Sequence, residues 1–267
     1  MNTTPILSSE IKGQGVPLLA LHGFTGDCSA MSLISKPLSE TCSVISVDLP
    51  GHGNNAKDLQ PHLYNFEDTL AALIDVMEFH DQQEFNVLGY SMGGRLALGL
   101  AIMYPNRIKN TILIGATAGI ADENQRVARR RSDDRLADEI LEKGIEWFVE
   151  YWMNQPLFES QIRIDPTTLD ISRKQKLKNS PQGLAASLRG SGTGSQPSLW
   201  RRLGEITSPT LILVGEEDFK FRSLAVRLNS GINKSEICVV PEAGHACHLE
   251  NSDFTIEAIE TFLEEVT

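Results

Sequence analysis

The stretch Phe85–Gly94, FNVLGYSMGG, decides the fold. Phe85–Leu88 is a short apolar run that suits a strand buried on both faces. It breaks at Gly89-Tyr90-Ser91-Met92-Gly93, and Leu96–Met103 then takes up helical spacing. A strand running directly into G-x-S-x-G and on into a helix makes a tight, strained turn, and its small residues allow close strand–helix packing. The turn is expected to lift Ser91 above the sheet with its hydroxyl near the helix N-terminus, where free amides and the helix dipole stabilise developing negative charge. The bland reading of the same residues is a glycine-rich βα turn without chemistry.

Working outward, five further apolar runs end in turn residues. Val16–Leu21 meets HGFTG, Ser43–Val47 meets DLPGHG, and Thr111–Ile114 meets GATAG. Thr210–Val214 meets GEEDFKF, and Glu236–Val240 meets PEAGHACH. Helical spacing lies between them at Phe66–Phe79 and closes the chain at Phe254–Val266. Strand and helix alternate, so one doubly wound α/β layer with a mostly parallel sheet is expected. From about Gly119 to Leu203 the rhythm breaks into helical patterns, including Asp134–Glu142 and Gly144–Trp152. The expected organisation is core 1–118, a helical cap insertion 119–203, and core 204–267. Within the insertion, Ser191–Ser198 reads as a mobile glycine/serine-rich loop.

The chain has 267 residues, 41% hydrophobic and 22% charged, which excludes a disordered or fibrous protein. Its net charge of −11 argues against nonspecific nucleic-acid binding, which needs a broad cationic footprint. Local charge is uneven. Arg126, Arg129, Arg130 and Arg131 cluster, and Arg163–Arg202 holds eight basic residues against Asp165 and Asp170, a local +6 that could guide a small anion. No run of eighteen apolar residues appears, and MNTTPILSSE has neither a basic leader nor a long apolar segment. No membrane span is expected, and the cytoplasm is the expected compartment. Cys28, Cys42, Cys238 and Cys247 form no CxxC pair and read as reduced thiols, with no metal site expected. Nothing in the sequence fixes the oligomeric state beyond an expected monomer or weak homo-oligomer.

A serine hydroxyl needs a base to react. His245, in AGHA beyond an apolar run, is the leading base, with His248 its rival. Asp218, after the preceding core strand, is the leading orienting acid, with Asp48, Glu216 and Glu217 as rivals. The order Ser91, Asp218, His245 resembles that of an α/β hydrolase. The turn His22-Gly23-Phe24 is then expected to pair the Phe24 amide with that of Met92 as an oxyanion hole. His22 and His52 read as structural. Arg95, one turn beyond Ser91, either faces the crevice or makes a surface salt bridge. Trp152 reads equally as core or substrate-facing. These residues alone leave the reaction open between an ordinary serine esterase, a carbon–carbon bond hydrolase and a non-catalytic hydrolase-like binding protein.

The series LHGFTG, VDLPGHG, GYSMGGR, ENQRVARR, YWMNQPLF, LRGSGTGSQPSLW, GEEDFKF and AGHACHLE, from about Leu21 to Glu250, resembles the 2-succinyl-6-hydroxy-2,4-cyclohexadiene-1-carboxylate synthase family of menaquinone and phylloquinone biosynthesis. The resemblance implies an α/β-hydrolase fold with a helical cap. It also implies a cofactor-independent carbon–oxygen lyase that removes pyruvate from a tricarboxylate, with Ser91 acting as a base activated by His245 and Asp218. It places Tyr90, Arg95 and Trp152 in the substrate pocket, together with an arginine of VARR: Arg129, with Arg126 as rival. One further cap arginine is implied near ISRKQKLKN, where this chain has Lys178, with Arg173 nearby.

Overall fold

The computed structural model describes residues 7–56 and 59–266; of the opening decapeptide, residues 1–6 lie outside it. Seven strands form one sheet: β1 (Ser9–Lys12), β2 (Val16–Leu21), β3 (Cys42–Val47), β4 (Phe85–Tyr90), β5 (Ile108–Ile114), β6 (Thr210–Gly215) and β7 (Ser235–Val240). Their order is β1-β3-β2-β4-β5-β6-β7. β1 is antiparallel to β3 and every other pair is parallel. The helices are α1 (Ser32–Leu38), α2 (Phe66–Phe79), α3 (Met92–Met103), α4 (Glu123–Met153), α5 (Pro166–Lys176), α6 (Pro181–Ser191), α7 (Phe219–Gly231), α8 (Cys247–Glu250) and α9 (Ser252–Glu265).

The apolar runs are continuous because both faces of the sheet are covered. Successive side chains point to opposite faces. Leu19 and Leu21 thus join Val87, Leu113 and Ile212 in a core with α2, α3 and α7. Leu18 and Ala20 join Val44, Leu88, Ile112 and Leu211 in a second core with α1 and α9. β1 has no counterpart in the sequence reading: SEIK at an edge is largely exposed and carries no apolar run.

Between β5 and β6 the regular elements are α4, a 3-10 stretch over Pro156–Arg163, α5 and α6. Gly144, at φ 83 and ψ 178, interrupts α4, which is why its sequence reads as two helical stretches. Ala137, Ile140 and Phe148 of α4 pack on Leu184, Ala185 and Leu188 of α6, an apolar seam separate from the two sheet cores. The Ser191–Ser198 loop, read from its composition as mobile, is packed in place. Gln196 and Ser191 are buried, and a Cβ at Gly194 would come 2.2 Å from the Arg130 backbone nitrogen. The small residues seat the loop against α4. Among the described residues, no helix is long and apolar enough to cross a membrane.

The β4–α3 junction leaves no room for a side chain on either of its glycines. A Cβ at Gly89 would lie 2.3 Å from the Gly93 carbonyl oxygen, and one at Gly93 would lie 2.2 Å from that of Leu21. Gly89→Ala should therefore cost about 1–3 kcal/mol in urea unfolding, the usual penalty of overpacking. Gly204→Ala, with nothing within 4 Å of the added carbon, should stay within about 0.5 kcal/mol of the parent.

Candidate active site

Ser91 sits at the N-cap of α3 with φ 50 and ψ −103, a left-handed backbone uncommon for a residue with a side chain. Its amide donates to the Ile114 carbonyl at 2.8 Å, which ties the turn to β5. Its hydroxyl lies 3.0 Å from Nε2 of His245, and Nδ1 of that ring lies 2.7 Å from Oδ2 of Asp218. With Nδ1–H donating to the carboxylate, Nε2 is left to accept the serine proton. His245 and Asp218 are both buried.

Each partner is held from a second direction. Asp218 is the N-cap of α7, and its Oδ1 accepts from the Phe221 amide at 3.2 Å. The loop carrying His245 is gathered by Glu250, whose carboxylate accepts from the Gly244 and Ala246 amides at 2.8 and 3.2 Å. The rings of Phe221 and Tyr90 lie 4.3 and 5.5 Å from that of His245.

The rival groups have other partners. Asp48 accepts from the Cys28 and Asn54 amides at 2.7 and 2.8 Å. Glu216 accepts from the Glu242 amide and Glu217 pairs with Arg163. His248 lies against Tyr90 with centroids 4.2 Å apart, and its burial, with His245 and Lys176 nearby, pushes it down to about 3. His22 donates from Nδ1 to the Gly23 carbonyl and accepts at Nε2 from the Leu49 amide, and burial lowers its pKa. This neutral histidine braces the turn that carries Phe24. The Met92 amide, first in α3, has no partner within its helix.

The cavity beside Ser91 has two lobes, 130 and 180 Å³, which share Phe24, Tyr90, Trp152 and Phe158 as a common wall. The lobe holding Ser91, Met92 and His245 also presents Arg95, Arg129 and Lys220. The other holds Lys176 and His248. Among the described residues, neither lobe is lined by Asp or Glu. Trp152 therefore serves both roles, lining the cavity while packing on Phe24 and Phe148. Burial holds the Tyr90 hydroxyl well above its ordinary pKa, so it stays protonated.

Arg95 is buried and, among the described residues, makes no surface salt bridge. It donates to the Ser191 carbonyl at 2.9 Å and to Gln196 Oε1 at 2.6 Å. Burial and the neighbouring Arg129 lower it to about 10, leaving it charged at neutral pH. Arg129 pairs with Asp133 at 2.7 Å.

Arg126 donates to the Ile120 carbonyl and lines a separate, larger outer cleft of 1250 Å³ that holds none of Ser91, Asp218 and His245. Neither basic residue expected from α5 and its flank lines the lobes. Lys178 is exposed beyond the end of α5, and Arg173 pairs with Glu150 at 2.8 Å. Lys176 takes that position instead. It is partly buried, and burial lowers it to about 8. Thr168, Ile171, Ser172, Gln175 and Lys176 all line the lobe. That spacing is one helical face, a signal already present in the sequence, and Arg173 lies off it. Lys176, Lys220, Glu250 and Gln196 escaped the sequence reading as site residues.

The sequence profile of the alpha/beta hydrolase fold matches residues 16–252, and with this sheet and this serine–histidine–aspartate arrangement the chain is an α/β hydrolase by fold. A Bacillus subtilis protein provisionally named 2-succinyl-6-hydroxy-2,4-cyclohexadiene-1-carboxylate synthase is 38% identical over 93% of this chain and 90% of its own. The Salmonella arizonae protein of that name is 31% identical over 93% of this chain and 94% of its own. The structure of MenH from S. aureus superposes with a TM-score of 0.92 at 35% identity, covering 99% of both chains. The chain belongs to the 2-succinyl-6-hydroxy-2,4-cyclohexadiene-1-carboxylate synthase family.

If the three groups act as a unit, Ser91→Ala, His245→Ala and Asp218→Asn should each lower turnover by about 10³-fold or more. The Ser91→Ala/His245→Ala pair should be little worse than either alone. Steady-state rates read this, with thermal unfolding within a few degrees of the parent as the control for folding.

Proposed function

We propose that this protein is a lyase that expels pyruvate from 2-succinyl-5-enolpyruvyl-6-hydroxy-3-cyclohexene-1-carboxylate, leaving 2-succinyl-6-hydroxy-2,4-cyclohexadiene-1-carboxylate. The observation that carries this reading is the cavity lining. Arg95, Arg129, Lys220 and Lys176 line two adjoining lobes whose described lining includes no carboxylate, beside a serine aligned with a base. Such a site favours a substrate bearing several carboxylates over a neutral ester.

The Ser91 hydroxyl gives its proton to His245 Nε2 as the oxygen takes the hydrogen on the ring carbon bearing the succinyl group. That hydrogen is acidic because the neighbouring ketone accepts the charge. The Phe24 and Met92 amides supply the donors for the resulting oxyanion, so the stabilisation is larger at the transition state than in the ground state. The electron pair moves into the ring and shifts the existing double bond. The bond to the enolpyruvyl oxygen breaks, a second ring double bond forms, and the leaving enol returns to pyruvate with the proton held on His245. No electrons are gained or lost overall, so the step needs no redox cofactor. Asp218 fixes the tautomer that makes His245 a proton acceptor.

Arg95 and Arg129 hold carboxylates in the serine lobe, and Lys176 holds one in the other, taking the place expected of Lys178 or Arg173. A lysine supplies charge without the planar fork of an arginine. Residues 119–203 act as the cap that brings these cations over Ser91.

Pyruvate release from the enolpyruvyl substrate tests the reaction, and Ser91→Ala should reduce it to the uncatalysed rate. An acyl-enzyme trapped on Ser91 without pyruvate formation would instead make the protein an esterase. Lys176 adds a pH signature. Its charged form dominates below about 8 and disappears above it. KM should therefore rise several-fold, roughly tenfold at most, from pH 7 to pH 9. Lys176→Met should show a high KM at pH 7 and a flat profile.

A further inference from the structure

We infer that Gln196 is a positioning residue that keeps Arg95 fixed with no carboxylate in contact, so that the guanidinium charge and its free donors are available to an anionic substrate. The inference rests on the reading of Arg95 as a carboxylate-binding residue.

Gln196 is fully buried in the Ser191–Ser198 loop. The Nη1 atom of Arg95 donates to Gln196 Oε1 at 2.6 Å and to the Ser191 carbonyl at 2.9 Å. Both acceptors are neutral, and both belong to the segment that closes over α3 from the end of α6. A buried cation is normally paired with a carboxylate. Asp133, the acid whose charge reaches Arg95, makes its hydrogen bonds elsewhere: its Oδ1 accepts from Arg129 Nε at 2.7 Å and its Oδ2 from the Gly194 amide at 3.3 Å. Arg129 thus lines the cavity with a carboxylate in contact, whereas Arg95 feels that carboxylate only through space.

The orientation of the Gln196 amide follows from its partner. A guanidinium only donates, so the amide oxygen must face it, and the Nε2 donor turns away and finds no acceptor among the described residues. An unpaired buried donor is a cost that calls for an explanation. Glutamate in the same place would have no N–H to leave unpaired and would form an ion pair with Arg95, a stronger local contact. It would also fill the charge that the substrate carboxylate has to meet. The neutral amide fixes the guanidinium plane while leaving its charge for the ligand.

Gln196→Glu tests this directly. The variant should fold, with a melting temperature no lower than that of the parent, while KM for the enolpyruvyl tricarboxylate rises about tenfold or more with a smaller change in kcat, the split expected when ground-state binding is lost. Gln196→Met removes the acceptor without adding charge and should raise KM by a smaller factor, so the test survives if the glutamate variant does not fold. In the R95A background either substitution should leave KM within about twofold, because the effect runs through Arg95. Equal KM in Gln196→Glu and the parent would overturn the inference, as would the same fold-rise in both backgrounds, which marks a packing role. If Arg95→Ala itself leaves KM unchanged, the reading of Arg95 fails first. If Arg95→Ala raises KM and Gln196→Glu does not, the role of Gln196 alone is wrong.

Discussion

The first turn of α3 rests on backbone. Gly89 and Gly93 let β4, α3 and the end of β2 approach to distances that no side chain would permit. Ser91 can hold its left-handed conformation only because this junction is over-determined, pinned by its amide to β5 and by the glycines to β2. The Phe24 and Met92 amides, the reach of His245 and the direction of Arg95 are all referred to this turn. Phe24 lies three residues past the end of β2, Met92 follows Ser91, and Arg95 lies one helical turn on. Displacing the turn would move every one of them relative to the others.

The second theme is the management of charge in a chain that is acidic overall. Cations are concentrated where the helical segment meets α3, and the compensating acids are kept out of the cavity lining. Desolvation works against this arrangement, lowering both Arg95 and Lys176 from their ordinary values. Arg95 remains a cation well above the neutral range, whereas Lys176 begins to lose its proton just above it. A guanidinium withstands burial that an ammonium does not, so the two positions are chemically unequal even though each supplies one positive charge.

Much of this was legible in the sequence for identifiable reasons. Strands covered on both faces need uninterrupted apolar runs, so β2 was readable to the residue, and β4 was foreshortened only because its last two residues are also the start of the turn motif; the three- and four-residue apolar spacing made α2 readable to the residue. β1 was hidden because an exposed edge strand imposes little on its side chains. The start of α3 was hidden by Gly93 and Gly94, which weaken the helical signal while making the turn possible. The serine, histidine and aspartate were readable because each follows a strand end, where a topology of this kind exposes side chains. The segment between β5 and β6 was harder. The family resemblance points to Lys178 and Arg173, but the face of α5 decides which basic residue turns inward, and that face runs through Thr168, Ser172 and Lys176. Gln196 lies in a loop whose composition suggests mobility, whereas small residues there serve close packing.

Asp218 has two oxygens with separate duties: one caps α7, the other meets His245. The helix therefore holds the carboxylate in place whether or not the imidazole is carrying a proton. In the proposed reaction the ring changes charge and then changes back, and a loosely tethered acid would have to be re-aimed each time. Here its direction is set when the chain folds, so the ordering entropy is spent once per molecule instead of once per turnover.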